Sequence, residues 1–211
     1  MPDSKITAVV FDIGGVLLDW NPRHLYRELI EDPAELEYFL TAICSQDWHL
    51  AHDLGVATDA SCRQLASLHP EYAELIMAWS LRSEDMIAGA FDDTVEVLRD
   101  LRSAGVRCYA LSNMEPDMFA LRRARFSFFD LFDGWVISGF EGFVKPDPKI
   151  FEILFTRYQL RPAQTAFVDD QPRNVAAAAE LGVAGILFTT AAQLRAELAE
   201  LGLAAANRPR S

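Results

Sequence analysis

Four polar clusters in this 211-residue chain each follow an apolar run. Asp12 follows residues 6–11, and Ser112-Asn113 follows residues 106–111. Lys145, with Pro146 and Asp147, lies in the loop after residues 135–137, and Asp169-Asp170 ends residues 165–168. Singly, each suits an ordinary structural job: a turn aspartate, a helix cap, a solvated loop lysine, an acidic helix N-terminus. Jointly they can do chemistry. Asp12, Asp169 and Asp170 brought together would repel and raise one another's pKa. A divalent cation that prefers oxygen removes that conflict, and Mg²⁺ takes one or two carboxylates plus water and phosphate oxygens. The hydroxyl of Ser112, the amide of Asn113 and the ammonium of Lys145 are donors that suit a phosphoryl group. A carboxylate can also act as the nucleophile, forming an aspartyl-phosphate.

The elements that must position these residues follow from the pattern. Five short runs, residues 6–11, 106–111, 135–137, 165–168 and 185–188, are mostly apolar without alternation. That suits a parallel sheet covered on both faces. Helical patterns at 93–103, 148–158, 172–181 and 191–201 separate the later runs, and three of them stop at glycine: Gly105, Gly182 and Gly202. Alternating strand and helix from residue 90 onward predicts an α/β fold with a doubly wound parallel sheet. In such a sheet, ligands bind beyond the carboxyl ends of the strands, which is where the four clusters fall. Residues 20–89 read as helix without a convincing strand, in segments 22–30, 34–43, 60–68 and 71–79, with joints at Asp32-Pro33 and His69-Pro70. So much helix is too long for one crossover. The expectation is a core domain of residues 1–19 and 90–211 with an inserted helical cap of residues 20–89.

Composition narrows the function. Nineteen Lys and Arg against 31 Asp and Glu give a net charge of −12, which argues against nucleic-acid binding and against an electrostatic hold on anionic membranes. No apolar run reaches the ~18 residues of a membrane span, and the start has no signal-peptide layout. Cys44, Cys62 and Cys108 are scattered and odd in number, which reads as free thiols in a reducing compartment. The expectation is a cytoplasmic protein. The tail from Ala204 to Ser211 reads as frayed.

In order and spacing, these residues resemble the haloacid dehalogenase-like (HAD) hydrolase superfamily. Phe11-Asp12-Ile13-Gly14-Gly15-Val16-Leu17 is similar to its first motif, Leu111-Ser112-Asn113 to its second, Lys145-Pro146 to its third, and Val168-Asp169-Asp170 with Asn174 to its fourth. Successive motifs are 100, 33 and 24 residues apart. The resemblance implies a Rossmann-like core with an α-helical cap. It implies Asp12 as nucleophile and Mg²⁺ ligand, the Gly14 carbonyl as a further metal contact, Ser112 and Asn113 on the phosphoryl oxygens, and Lys145 neutralising nucleophile and phosphoryl. It also implies that Asp169 and Asp170 hold the metal. The activity expected is a Mg²⁺-dependent phosphatase acting on a small phosphorylated metabolite, a sugar phosphate among the options, with no nucleic-acid or membrane partner. The oligomeric state stays open.

One position departs from the family. Most phosphatases of the superfamily carry a second Asp two residues after the nucleophile, as general acid and base, and here that residue is Gly14. Such help is worth roughly 10²–10⁴-fold. The Gly variant resembles a bacterial subgroup that includes an α-D-glucose-1-phosphate phosphatase. Either the leaving group is good, or another residue substitutes, with Asp19 and His24 nearby in sequence. Two other functions stay open: a metal-free 2-haloacid dehalogenase-type hydrolase, and a catalytically weak relative that binds a phosphorylated ligand. His49 and His52, with Asp53, read as a solvated or substrate-touching cap helix rather than a zinc pair. Tyr38, Phe39, Trp48 and Trp79 read mostly as cap core, with one or two facing the crevice. Arg122, Arg123 and Arg125 read as a solvated helix face.

Overall fold

Strand β1 (Ala8–Phe11) is buried throughout. Val9 and Phe11 enter one apolar cluster, and Ala8 and Val10 enter another. A strand that is apolar on both faces belongs in the middle of a covered sheet. The computed structural model, which describes residues 5–203, places it there. The five-stranded sheet runs β5 (Gly134–Ile137), β4 (Arg107–Ser112), β1, β6 (Thr165–Asp169), β7 (Ala184–Leu187), and every neighbouring pair is parallel. Strand β4 repeats the two-faced burial, with Cys108 and Ala110 on one side and Tyr109 and Leu111 on the other. In register, Phe11 lies beside both Ala110 and Val168, so the residues that follow these three strands emerge together at one rim.

Helices cover both faces of the sheet. The insertion after β1 contributes α1 (Pro22–Leu29), α2 (Pro33–Tyr38), α3 (Gln46–Asp53), α4 (Thr58–Leu68) and α5 (Ala73–Leu81). The core then continues with α6 (Asp92–Ser103), α7 (Pro116–Arg125), the single turn α8 (Ser138–Glu141), α9 (Pro148–Tyr158), α10 (Pro172–Glu180) and α11 (Ala191–Glu200). The starts follow sequence chemistry. Asn21, Asp32, Ser45, Asp147 and Thr190 each accept a backbone N–H at a helix start, an arrangement typically worth about 1 kcal/mol. Asp147 is thereby spent on a cap and takes no part in the site.

The inserted helices have their own apolar cluster, built around Tyr26, Phe39, Ile76, Trp79 and Met86. Two details differ from the sequence reading. The segment at 34–43 is not one α-helix, because α2 passes into a π turn at Phe39–Ile43. The stretch read as strand-free also contains part of a strand pair: β2 (Leu18–Trp20) runs antiparallel to β3 (Ile87–Ala90) where the chain leaves and re-enters the core. Strands of three and four residues, one of them Ala- and Gly-containing, carry no readable period, and only their distant pairing creates them. The first four residues and the tail from Ala204 lie outside the described residues. Cys44, Cys62 and Cys108 are free and buried.

Candidate active site

Asp12 stands directly after β1, where its N–H donates to the Val168 carbonyl at 2.8 Å. The chain must turn at once, and it does so over Ile13-Gly14-Gly15, with the N–H groups of Leu17 and Leu18 both donating to the Ile13 carbonyl. Gly15 is required here. Its φ is +76°, and a Cβ would lie 2.7 Å from Asp170 Oδ2. Gly14 faces open space instead, with no atom within 4 Å of a Cβ position.

Three hydrogen-bonding groups converge on one oxygen of Asp12. Its Oδ1 accepts from the Ile13 N–H at 2.7 Å and from Ser112 Oγ at 3.0 Å, and Lys145 Nζ is 2.9 Å away. Among the described residues no donor is recorded on Oδ2, which leaves that oxygen for bonding elsewhere. Lys145 is 3% exposed and bridges to Asp169 Oδ2 at 2.7 Å. Its ammonium is held in place from the backbone, because Asn113 forms a two-way clasp with residue 145. Asn113 Nδ2 donates to the Lys145 carbonyl at 3.1 Å, and the Lys145 N–H donates to Asn113 Oδ1 at 2.8 Å. Asp169 is fully buried and accepts from both Asn174 Nδ2, at 2.9 and 3.1 Å, and the Gln171 N–H, at 2.8 Å.

The electrostatics follow from burial. Desolvation pushes the Asp12 carboxyl up to about 7, aided by the charge of Asp169 and opposed by Lys145. Burial works against the Lys145 charge, but Asp12 and Asp169 outweigh it and hold the ammonium above its ordinary value. Burial also raises Asp170. One cation is thus shared among three carboxylates, whose ligand oxygens lie within 4.8 Å of one another. A cluster of hard oxygens with such excess negative charge fits a divalent cation of the Mg²⁺ kind, and Asp12, Asp169 and Asp170 are the residues that could hold it.

The cluster opens into a cavity of about 370 Å³ between the sheet rim and the inserted helices. Ser112, Asn113, Lys145 and Gly14 line it from the core, and Trp20, His49, His52, Asp53, Trp79 and Met86 line it from the insertion and its strand pair. The sequence-selected residues Asp12, Gly14, Ser112, Asn113, Lys145 and Asp170 therefore meet at one cavity, with Asp169 directly behind. Asp19 and His24 do not join them, since they pair with each other at 2.9 Å and neither lines the cavity. His49 and His52 do face it, with rings 5.6 Å apart and nearly perpendicular. Among the described residues the only potential metal cluster is the aspartate one. Trp79 lines the cavity, Phe39 is core, and Tyr38 is 52% exposed.

Arg122 requires a correction. It is not on a solvated face: it is buried, it lines the cavity, and its Nε has no hydrogen-bond partner. The missed signal was spacing. Arg122 lies three residues after the buried Phe119, on the inward stripe of α7. Trp20, Met86, Met118 and Glu115 also line the cavity and carried no sequence signal as site residues.

The chain is similar to known proteins over most of its length. The family model described as haloacid dehalogenase-like hydrolase matches residues 6–182. The sesquiterpene phosphatase astK of Aspergillus oryzae is 31% identical over 195 residues, covering 92% of this chain and 95% of that protein. A HAD family enzyme of Bacteroides thetaiotaomicron, solved as a magnesium complex, superposes with a TM-score of 0.70 at 18% identity, covering 88% of this chain and 94% of that one. The L-2-haloacid dehalogenase of Xanthobacter autotrophicus, solved with chloropropionic acid covalently bound, gives 0.61 at 21% identity, covering 92% and 83%. Among the described residues no helix is long and apolar enough to cross a membrane.

Proposed function

The chain belongs to the haloacid dehalogenase-like hydrolase family, and on that premise we propose that it is a Mg²⁺-dependent phosphatase that hydrolyses a small phosphate ester through an aspartyl-phosphate on Asp12. The observation that carries this reading is the meeting of Asp12, Ser112, Lys145 and Asp169 within 2.7–3.0 Å contacts at the floor of one cavity. Asp12 Oδ2 attacks phosphorus while Ser112, Asn113 and Lys145 offer donors to the phosphoryl oxygens. Their positions are fixed before substrate arrives, so little reorganisation is needed as charge shifts in the transition state. Lys145 opposes, without cancelling, the burial that favours the protonated form of Asp12. When bound by Asp12, Asp169 and Asp170, with the Gly14 carbonyl as a further ligand, the metal ion supplies positive charge to the transferring phosphoryl.

The organic part of the substrate lies against Trp20, Trp79, Met86, Met114 and Met118. These apolar walls can take a hydrophobic alcohol, in keeping with the sesquiterpene phosphatase relative, beside polar ones such as Asn21, Gln46 and Arg173. The test is a Mg²⁺-supplemented screen of prenyl, alkyl, aryl and sugar phosphates beside an Asp12→Asn variant. Release of phosphate by the wild type alone, abolished by chelation, is the expected result. The dehalogenase reading needs no cation, but it would leave Asp12, Asp169 and Asp170 balanced by Lys145 alone. Turnover of a 2-haloacid in the presence of chelator would favour it.

A further inference from the structure

Hydrolysis of an ester with a poor leaving group needs a proton delivered to the departing oxygen and a proton removed from the incoming water. Gly14 has room for a side chain beside the nucleophile and supplies none. The cavity holds four other ionisable side chains of carboxylate type, Asp12, Asp53, Glu115 and Asp170. Asp12 is the nucleophile. Glu115 is occupied by Thr58, whose N–H donates to Oε1 at 3.2 Å and whose hydroxyl donates to Oε2. Asp170 belongs to the cation cluster and accepts from Gln171 Nε2 at 2.7 Å. Asp53 is different. Among the described residues no hydrogen bond reaches its carboxylate, and the ionisable group that approaches it is His49 Nδ1 at 3.9 Å.

Asp53 is also held firmly, although it comes from the insertion. It is the last residue of α3, and its carbonyl accepts from the hydroxyl of Ser138, a fully buried residue. The same hydroxyl accepts from the Met114 N–H at 2.9 Å, and Met114 directly follows the phosphate-binding pair Ser112-Asn113. Two residues beyond Asp53, Gly55 has a φ of +97°, and a Cβ there would lie 2.6 Å from the Gly139 carbonyl. Only glycine permits so close an approach. The end of α3 is therefore pinned to the loop that carries the phosphoryl donors.

We propose that Asp53 is the general acid–base of this enzyme, replacing from the inserted helices the carboxyl that Gly14 does not supply. This rests on the phosphatase reading above. As the bond from Asp12 Oδ2 to phosphorus forms and the ester P–O bond breaks, the protonated Asp53 gives its proton to the leaving alkoxide, and the alcohol departs. In the second half, the Asp53 carboxylate takes a proton from water as the water oxygen attacks phosphorus. This breaks the aspartyl–phosphate bond and returns Asp12 and inorganic phosphate. The surroundings suit both halves. Burial raises the carboxyl to about 7, against the pull of Lys145, Arg122 and Arg173, so both protonation states are populated near neutrality. The other titratable groups on its own helix are Asp47 in the first turn, which does not line the cavity, and His49 and His52; both histidines are pushed down to about 4 by burial, so neither carries an acidic proton at that pH.

The experiment compares Asp53→Asn and Asp53→Ser with wild type on two esters, p-nitrophenyl phosphate and n-decyl phosphate, with Mg²⁺. A p-nitrophenolate leaves without a proton, so the pre-steady-state burst of p-nitrophenolate, which reads formation of the aspartyl-phosphate, slows less than about tenfold and reports an intact fold and nucleophile, while steady-state turnover falls because water activation is lost on both esters. The kcat on decyl phosphate falls about 10²–10⁴-fold, and the variants lose the pH dependence near 7 that wild type shows on that ester. Adding Gly14→Asp to Asp53→Asn restores decyl phosphate turnover. Equal slowing of the aspartyl-phosphate-forming step on both esters, or unimpaired decyl phosphate turnover, would overturn the assignment of Asp53 alone. A wild type inert to both esters removes the phosphatase reading and this proposal with it.

Discussion

Ser112 Oγ donates to Asp12 Oδ1 at 3.0 Å across 100 residues of chain. The contact exists because β4 lies beside β1 in parallel register, which brings the ends of both strands to the same rim. It also orients the Asp12 carboxylate, because Oδ1 is held by Ser112, Ile13 and Lys145, which leaves Oδ2 for the attack that the proposed mechanism assigns to it. Asp12→Asn keeps the shape and removes the nucleophile of the proposed mechanism. Turnover of p-nitrophenyl phosphate should fall by at least ~10³-fold, with an unchanged circular dichroism spectrum. Residual turnover within tenfold of wild type would place the nucleophile elsewhere.

Lys145 is the only cation in direct contact with Asp12 and Asp169 among the described residues. Lys145→Met leaves two buried carboxylates uncompensated, a loss that typically costs about 3–5 kcal/mol. Mg²⁺ should recover part of that loss by taking over the charge. Thermal unfolding with and without the cation measures both effects: Tm drops in the variant, and its rise on adding Mg²⁺ exceeds the rise in wild type.

Adjacent glycines should respond oppositely to substitution. Gly15→Ala meets both a left-handed backbone and the Asp170 carboxylate, and such strain costs about 1–3 kcal/mol. Gly14→Ala meets nothing within 4 Å and should unfold in urea within about 0.5 kcal/mol of wild type. Mg²⁺ affinity, read by calorimetry, should fall for Gly15→Ala, because Asp170 must move.

Stability should depend on pH through the buried histidines. His49 and His52 are held near 4 in the fold against 6.5 when unfolded. Between these values the unfolded chain takes up protons that the folded chain refuses. Stability is therefore complete above pH 6.5 and lost as pH falls toward 4, by on the order of 2 kcal/mol per histidine. Asp53 acts in the opposite sense. Its folded value near 7, against 3.8 unfolded, gives stability that is full below 3.8 and lost as pH rises through 7. Asp12, raised likewise, acts in the same sense as Asp53, so urea unfolding across pH 4–7 should show a slope of stability against pH less positive than wild type for His52→Phe and more positive than wild type for Asp53→Asn. Parallel curves for all three proteins would show that these groups do not titrate as their burial requires.

The chain's own pattern determined the sheet and the floor of the cavity. Runs such as residues 165–168 are apolar on both faces because a central parallel strand has no wet side, so they can be read without a partner. Polar residues placed directly after such runs must emerge at the rim, and this made Asp12, Ser112, Asn113, Asp169 and Asp170 readable from local order, whereas Lys145, beyond the α8 turn that follows β5, was legible only through the order of the motifs. Tertiary structure decided the rest. The pair β2–β3 owes its existence to pairing between residues about 70 apart, with too few residues in each strand for a period. Arg122 looks like its exposed neighbours Arg123 and Arg125 until α7 is rotated against the insertion, which turns one guanidinium inward. Asp53 ends an ordinary helix, and only the contacts of Ser138 and Gly139 bring that helix end to the phosphate loop. Sequence period reports which face of an element is dry. It does not report which distant element the face will meet, because that depends on packing between whole helices.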